Sequence, residues 1–216
     1  MEADKLASLR QAMVRDQLIA RGIRDERVLE AFRRVPRHEF VPPALQSAAY
    51  DDSALPIGND QTISQPYMVA VMTELLRLKG GERVLEVGTG SGYQAAIIAE
   101  LGGRVVTIER LAPLADNAAA TLVRLGYHGI KFAVGDGSAG YPAGAPYDAI
   151  VVTAGCPAVP GPLARQLAEG GRLVLPLGGR DRQTLTVVRK VHGELEEESS
   201  VPCVFVPLVG KYGWQE

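Results

Sequence analysis

The pattern of apolar and polar positions divides the chain into two parts of different kinds. In the first part, apolar residues recur at helical spacing over residues 5–20 and again over residues 28–35, which predicts two amphipathic helices. Asp25 can cap the second helix, and Pro36 must end it because proline supplies no N–H. From residue 36 to residue 66, prolines and a Gly-Asn-Asp triplet replace the helical periodicity. We therefore expect a long ordered covering segment there, of the kind that often carries function.

In the second part, after Gly80-Gly81, short β-branched runs alternate with helical stretches, the pattern of βαβ units wound around a parallel sheet. The last two apolar runs are joined only by the polar stretch HGELEEESS, so we expect them to pair antiparallel at one edge. The predicted fold is α/β, a doubly wound, mostly parallel Rossmann-like sheet with an N-terminal helical cap and an antiparallel C-terminal strand pair. The predicted strands are 83–87, 104–109, 130–134, 147–153, 172–177, 184–191 and 201–209, and the predicted helices between them are 92–101, 113–125 and 160–168.

Composition narrows the class of protein. A chain of 216 residues and 23.1 kDa is near the size of one α/β domain, so we expect residues 1–216 to form a single domain. We expect residues 1–80 to supply helices and a lid, and residues 81–216 to supply the ligand-binding core. With 46% hydrophobic and 22% charged residues, the chain is an ordinary globular protein and not a disordered or fibrous one.

Charge and cysteine content exclude several partners. The net charge of -2 provides no positive field for phosphate backbones, so nucleic acid is not expected. Two cysteines, Cys156 and Cys203, are too few for a disulfide framework or a zinc site, which favours a reducing cytoplasm and no bound metal. The N-terminus has no secretory pattern, and no apolar stretch is long enough to span a bilayer. We expect a cytoplasmic monomer without a membrane partner.

The most informative segment is VLEVGTGSGY, where a strand runs into a glycine-rich turn that opens a helix. Gly88, Gly90 and Gly92 lack the Cβ atoms that would keep a ligand away, and the helix N-terminus adds unpaired N–H groups, so a nucleoside cofactor is expected. The dinucleotide fingerprint would place a third glycine at position 93, which is Tyr93. The observed G-x-G-x-G spacing, with Glu86 two positions before it, resembles the S-adenosylmethionine loop of class I methyltransferases. Turn geometry alone is the alternative explanation of these glycines.

Two further carboxylates follow the next strands. Glu109 ends a strand about 20 positions after the first glycine, where it can accept hydrogen bonds from both ribose hydroxyls. Asp136, which precedes Gly137 after the third strand, can reach an adenine amino group. Strand ends in open α/β sheets meet at one crevice, so these sites converge. Taken singly, Glu109 could be a solvated strand end and Asp136 a turn former, and Glu86 could orient the loop or simply end a strand.

The acceptor of the methyl group has its own signature. Methyltransferases that act on nitrogen commonly carry an Asn/Asp-Pro-Pro-aromatic motif after the fourth strand, whereas this chain has VTAGCP there. A carboxylate acceptor is already ionised at neutral pH and needs positioning instead of a base. The candidate for positioning is the run TISQPYM in the covering segment.

Several runs together resemble one family. GNDQTISQPYMVAVMTELL is followed by RVLEVGTGSGYQAA, VVTIER, VGDG, YDAIVVTAG, QLAEGGRLVLPLG and FVPLVG, with VPRHEFVPPAL ahead of them. In this order, over nearly the whole chain, they closely resemble the protein-L-isoaspartate O-methyltransferases, and ISQP joined to the methyltransferase core is highly specific. The resemblance implies a class I methyltransferase fold. It also implies transfer of a methyl group from S-adenosylmethionine, with S-adenosylhomocysteine as product, to the free α-carboxylate of L-isoaspartyl residues in damaged proteins and peptides. The ester would then collapse to a succinimide and permit repair.

The resemblance also implies roles for individual residues. Ser64 matches the family's active-site serine, whose hydroxyl can donate to one carboxylate oxygen and orient the other for in-line attack; a plain turn residue is the alternative. Some relatives carry Ala, His and Thr where this chain has Gln65, Tyr67 and Val209. The expected cofactor-binding residues are Ile63, Ser64, Glu86, Gly88, Thr89, Gly90, Gly92, Glu109, Arg110, Asp136 and Gly137, and the expected substrate-binding residues are Gln65, Pro66, Tyr67 and Val209.

Two rival functions stay open on the sequence. A methyltransferase with another carboxylate or a small molecule as acceptor would keep the glycine loop and both downstream carboxylates but would not need ISQP. A non-catalytic module would bind S-adenosylmethionine without turnover. Methylation assays discriminate among the three.

Overall fold

The computed structural model describes residues 2–215. Its first amphipathic stretch forms α1, Glu2–Met13, and continues through a π-helical turn, Val14–Leu18, and a short 3-10 turn that ends at Gly22 with a left-handed φ of 98°. The second is α2, Glu26–Arg34, where the Asp25 carboxylate accepts a hydrogen bond from the backbone N–H two residues ahead. The two predicted helices of the N-terminal cap are thus confirmed.

The covering segment contains secondary structure that its sequence did not reveal. A small antiparallel hairpin pairs β1, Leu55–Gly58, with β2, Gln61–Ile63. Immediately after it comes α3, Pro66–Leu76, which was not predicted. Eight of its eleven residues are buried, so the helix has no broad polar face and lacks the alternation by which amphipathic helices are found.

The central sheet has seven strands: β3 Arg83–Val87, β4 Arg104–Glu109, β5 Lys131–Val134, β6 Tyr147–Val152, β7 Leu167–Gly178, β8 Gln183–Val191 and β9 Glu194–Cys203. Their order across the sheet is β5-β4-β3-β6-β7-β8-β9. The first five of these are mutually parallel, and the last two pairings are antiparallel. The chain order reverses between β3 and β6, which is the position where ligands bind in open α/β sheets. The helices between the strands are α4 Tyr93–Glu100, α5 Ala112–Arg124 and α6 Gly161–Gln166.

Apolar side chains cover both faces of this sheet. Ala149 and Val151 of β6 belong to the core that includes α2, α3 and α4, whereas Ile150 and Val152 belong to a second core with Leu163 of α6. Alternate residues of one strand therefore supply two cores, as a doubly wound sheet requires.

The last strand lies earlier in the chain than predicted. The antiparallel pair is confirmed, but the partner of β8 is β9, Glu194–Cys203, and not residues 201–209. Residues 194–200 are all exposed, so this edge strand has no alternation of apolar and polar residues. Its charged sequence therefore predicts a loop, and that prediction is wrong. Residues 204–209 instead cross the carboxyl ends of the parallel strands, where the Gly155 N–H donates to Val206 O at 2.8 Å and the Leu208 N–H to Gly155 O at 2.9 Å.

The remaining features concern α6, the two cysteines, and the lack of a metal cluster or a membrane-spanning helix within residues 2–215. The helix predicted over 160–168 ends at Gln166, and the chain passes directly into β7. Cys156 and Cys203 are buried free thiols. Within residues 2–215, no group of three His, Cys, Asp or Glu side chains could hold a metal ion. No helix in the same stretch is long and apolar enough to cross a membrane.

Candidate active site

A cleft lies at the carboxyl ends of β3, β4 and β6, and β2 and Ser64 form part of its wall. We call it the cofactor cleft. Ten of the residues predicted from the sequence line it: Ile63, Ser64, Glu86, Gly88, Thr89, Gly90, Glu109, Arg110, Gly137 and Val209.

The glycine loop is shaped by close backbone packing. Gly88 has a left-handed φ of 95°, and a Cβ atom there would lie 2.4 Å from Thr153 Oγ1. The Thr153 hydroxyl donates to the Gly88 carbonyl at 2.8 Å, and the Gly88 N–H donates to Ile108 O at 2.9 Å. The loop is thus held between β4 and the turn after β6, and only glycine fits at position 88.

Glu109 holds the same loop from the neighbouring strand. Its side chain is buried at the end of β4, where one carboxylate oxygen accepts from the Gly90 N–H at 3.0 Å and the other from the Leu111 N–H at 3.0 Å. A carboxylate offers about four acceptor positions, so two remain for ligand hydroxyls. The alternative of a solvated strand end is therefore excluded.

Glu86 is completely buried on the floor of the cofactor cleft. The Thr107 hydroxyl donates to Glu86 Oε2 at 2.6 Å and lies 2.6 Å from the Thr89 hydroxyl, while Glu86 Oε1 has no hydrogen-bond partner within the described chain. Burial, reinforced by the nearby Glu109 carboxylate, raises the pKa of Glu86 to about 8. At neutral pH the ligand-free carboxyl therefore holds a proton. A cationic amino group beside Oε1 would favour the ionised carboxylate and donate a hydrogen bond to it.

Two predicted cofactor residues lie outside the lining. Gly92 precedes α4 with a φ of 88°, and a Cβ atom there would lie 2.8 Å from Leu122 Cδ1, so helix packing explains this glycine. Asp136 accepts hydrogen bonds from the Ser138 N–H, the Ser138 hydroxyl and the Lys211 N–H. Burial acts to raise the pKa of Asp136, but these hydrogen bonds hold that pKa below its usual value. Asp136 thus ties its own turn to the C-terminal segment, and its contact with an adenine amino group stays a prediction.

A second cavity, which we call the acceptor groove, opens beside the cofactor cleft. Thr62, Ser64, Thr153 and Val206 line both cavities, so Ser64 lies at their junction. Gln65 and Tyr67 line the groove only. Pro66 lines neither cavity, because it is buried in the first turn of α3.

Sequence reasoning missed several groove residues. Arg21 comes from the cap and Asp52 from the covering segment, and nothing in the local sequence of either indicates a site. Val206, on the crossing after β9, lies in the FVPLVG run that carries part of the family resemblance. Thr153 had one available signal, its position directly after the fourth parallel strand of the sequence.

Comparison with known proteins places this architecture in a family. The family described as "Protein-L-isoaspartate(D-aspartate) O-methyltransferase (PCMT)" matches residues 8–213. The chain belongs to this family. A protein-L-isoaspartate O-methyltransferase of Methanoculleus marisnigri is 56% identical over 215 residues, covering 100% of this chain and 98% of the relative. One of Geotalea uraniireducens is 54% identical and covers 95% of each chain.

Solved structures of this family agree with the fold. A protein-L-isoaspartate O-methyltransferase, 33% identical, superposes with a TM-score of 0.85 over 94% of this chain and 67% of its own. A PCMT structure from Plasmodium falciparum in complex with S-adenosyl-L-homocysteine, 25% identical, has a TM-score of 0.79 over 91% of this chain and 96% of its own. The predicted class I methyltransferase fold is confirmed.

Proposed function

We propose that this protein transfers a methyl group from S-adenosylmethionine to the free α-carboxylate of L-isoaspartyl residues in damaged proteins and peptides, with S-adenosylhomocysteine as the second product. The observation that carries the proposal is the position of Ser64 at the junction of the cofactor cleft and the acceptor groove. Membership of the protein-L-isoaspartate O-methyltransferase family supports the same reaction.

The residues of the cofactor cleft fit S-adenosylmethionine, which supplies an electrophilic methyl group when it is bound. The narrow turn at Gly88 and Gly90 lets a ligand approach backbone, and the free acceptor positions of Glu109 suit ribose hydroxyls. The unpartnered Glu86 Oε1 suits the amino group of the methionine portion. Ile63, Thr89, Arg110 and Gly137 complete the proposed binding wall, while Gly92 and Asp136 support it from outside.

The acceptor carboxylate must be held in a defined position and shielded from water. A carboxylate is ionised at neutral pH, so no base is required, and the Ser64 hydroxyl donates to one oxygen while the other oxygen attacks. The apolar residues Ile63 and Val206 line the cofactor cleft together with Ser64. Ordered reactants of this kind gain rate mainly through proximity.

Recognition of the peptide falls to the acceptor groove. We assign Gln65 and Tyr67 to its wall and Val209 to the neighbouring cleft, and we assign Pro66 the indirect task of starting α3 at a defined point. A repair enzyme must accept many flanking sequences, so backbone contacts dominate in this proposal. The proposal includes a cytoplasmic monomer of one domain that acts on isoaspartyl proteins and peptides, without nucleic-acid or membrane partners.

The test uses labelled S-adenosylmethionine and two peptides of one sequence that differ only in an L-isoaspartyl or a normal aspartyl linkage. We expect base-labile methyl ester on the isoaspartyl peptide alone. Ester on neither peptide, with cofactor binding demonstrated by calorimetry, would reject the proposed substrate class and leave a different acceptor or a binding role.

A further inference from the structure

The wall of the acceptor groove contains one cation from a distant part of the chain. Arg21 ends the helical stretch of the N-terminal cap and lines the groove together with Ser64. Of the described residues that line this groove, Arg21 is the only cation and Asp52 the only anion. The substrate of the proposed reaction is itself a carboxylate, so the role of this cation matters for how the substrate is bound.

The guanidinium of Arg21 is held in place from two sides. Its Cζ atom lies 3.5 Å from the centre of the Tyr67 ring, and Nη1 donates to Asp52 Oδ2 at 2.8 Å. The Gln65 amide also donates to the Asp52 carbonyl at 3.2 Å, which joins the covering segment to the start of α3. Stacking on an aromatic ring fixes the plane of a guanidinium, so less freedom is lost when it binds a second anion.

Arg21 keeps capacity for such a second anion. The group carries five N–H donors, of which the bond to Asp52 uses one. The side chains of Arg21 and Asp52 remain 43% and 36% exposed, so solvent and solutes reach the pair. Asp52 nevertheless reduces the field of Arg21, because the two charges cancel at a distance.

We propose that Arg21 attracts the free α-carboxylate of the isoaspartyl substrate to the acceptor groove and favours it over a neutral peptide. This inference rests on the proposed function and deepens it by naming a residue that determines specificity. Methylation neutralises the carboxylate, so the ester product loses this attraction and is released more readily. Ser64 orients the carboxylate, whereas Arg21 brings it to the groove.

The test compares the binding of two labelled peptides by fluorescence anisotropy at low salt. One carries the L-isoaspartyl α-carboxylate and the other the matching α-carboxamide. We expect Arg21→Gln to weaken binding of the carboxylate peptide by roughly three- to ten-fold and to leave the carboxamide peptide unchanged. Asp52→Asn, which frees the cation, should tighten binding of the carboxylate peptide only.

Arg15→Gln is the matched control. It removes the same charge from the same cap, but its side chain is 70% exposed and pairs with Asp16 outside the groove. In methylation kinetics we expect Arg21→Gln to raise KM with kcat within about two-fold, as loss of uniform binding requires. Melting temperatures of all variants are compared with that of the wild type to confirm folding.

Several results would overturn the inference. They are equal binding of the two peptides by the wild type, an equal loss for both peptides in Arg21→Gln, and the same effect in Arg15→Gln. Failure of the proposed function looks different, because the wild type would then form no methyl ester whatever the binding data show.

Discussion

The cofactor cleft and the acceptor groove are adjacent, yet they are built in different ways. The cleft is made from the ends of parallel strands, and its polar groups, such as Glu109, are held by backbone N–H groups. The groove is assembled from the cap, the covering segment and the crossing after β9, where Val204 is 74% exposed. Polar groups that backbone bonds hold in place thus lie at the strand ends, whereas the more open groove lies mainly on connecting segments.

The largest expected effect comes from filling the narrowest point of the cleft. Gly88→Ala places a Cβ atom against Thr153 Oγ1 and forces a left-handed φ on alanine, so we expect cofactor affinity to fall by roughly a hundred-fold or more. Calorimetric titration with S-adenosylhomocysteine measures this loss.

Two further variants separate the causes of that loss. Gly126→Ala has the same type of φ, 90°, with nothing within 4 Å of the added Cβ, so it isolates the backbone cost and should bind cofactor normally. Gly88→Ala combined with Thr153→Ala should recover part of the affinity that Gly88→Ala alone loses. No recovery would show that the clash with Thr153 is not the cause.

At the junction of the two cavities, Ser64→Ala should affect turnover alone. Loss of the orienting hydroxyl should lower kcat by roughly ten- to a hundred-fold, with cofactor affinity near that of the wild type. Ser53→Ala, the same change elsewhere in the acceptor groove, serves as the control and should keep its kcat. A fully active Ser64→Ala enzyme would remove this serine from the mechanism.

On the cleft side, Glu109→Ala should weaken cofactor binding by roughly 1–3 kcal/mol, because ribose hydroxyls lose a charged acceptor. Glu109 lines the cofactor cleft and not the acceptor groove, so the peptide KM, measured at saturating cofactor, should stay unchanged. Glu109→Gln keeps one acceptor oxygen and should lose less affinity. Unchanged cofactor affinity in Glu109→Ala would refute the ribose assignment.

An effect of similar size, on stability and not on binding, concerns pH and the buried Glu86. Its raised pKa means that the folded state holds a proton between about pH 4.5 and pH 8 that the unfolded state releases, so this residue lowers stability as pH rises through that window. Glu86→Gln should remove this dependence and stabilise the ligand-free protein at pH 8 by roughly 1–3 kcal/mol. Denaturant unfolding at pH 5 and pH 8 measures the pH dependence of stability and the stabilisation by the variant. An equal fall in the free energy of unfolding of wild type and variant between these pH values would contradict the assignment.

The sequence alone determined the fold class and much of the cofactor cleft, because both follow from local patterns. Strands that alternate with helices specify a parallel sheet, and the carboxyl ends of its strands necessarily meet, which brings Gly88 and Glu109 together. The glycine spacing indicates that the backbone closely approaches another group, but it does not identify that group. Gly92 approaches the side chain of Leu122 and not the cleft, and only packing decides this.

Only the tertiary structure decided the acceptor groove and the last strand. Residues such as Arg21, Asp52 and Val206 meet through long-range packing that no local periodicity encodes. An edge strand exposed on both faces, like β9, leaves no apolar signal because no core selects its residues. The bond from the Lys211 N–H to Asp136 likewise joins residues 75 positions apart, and only the folded chain brings them together.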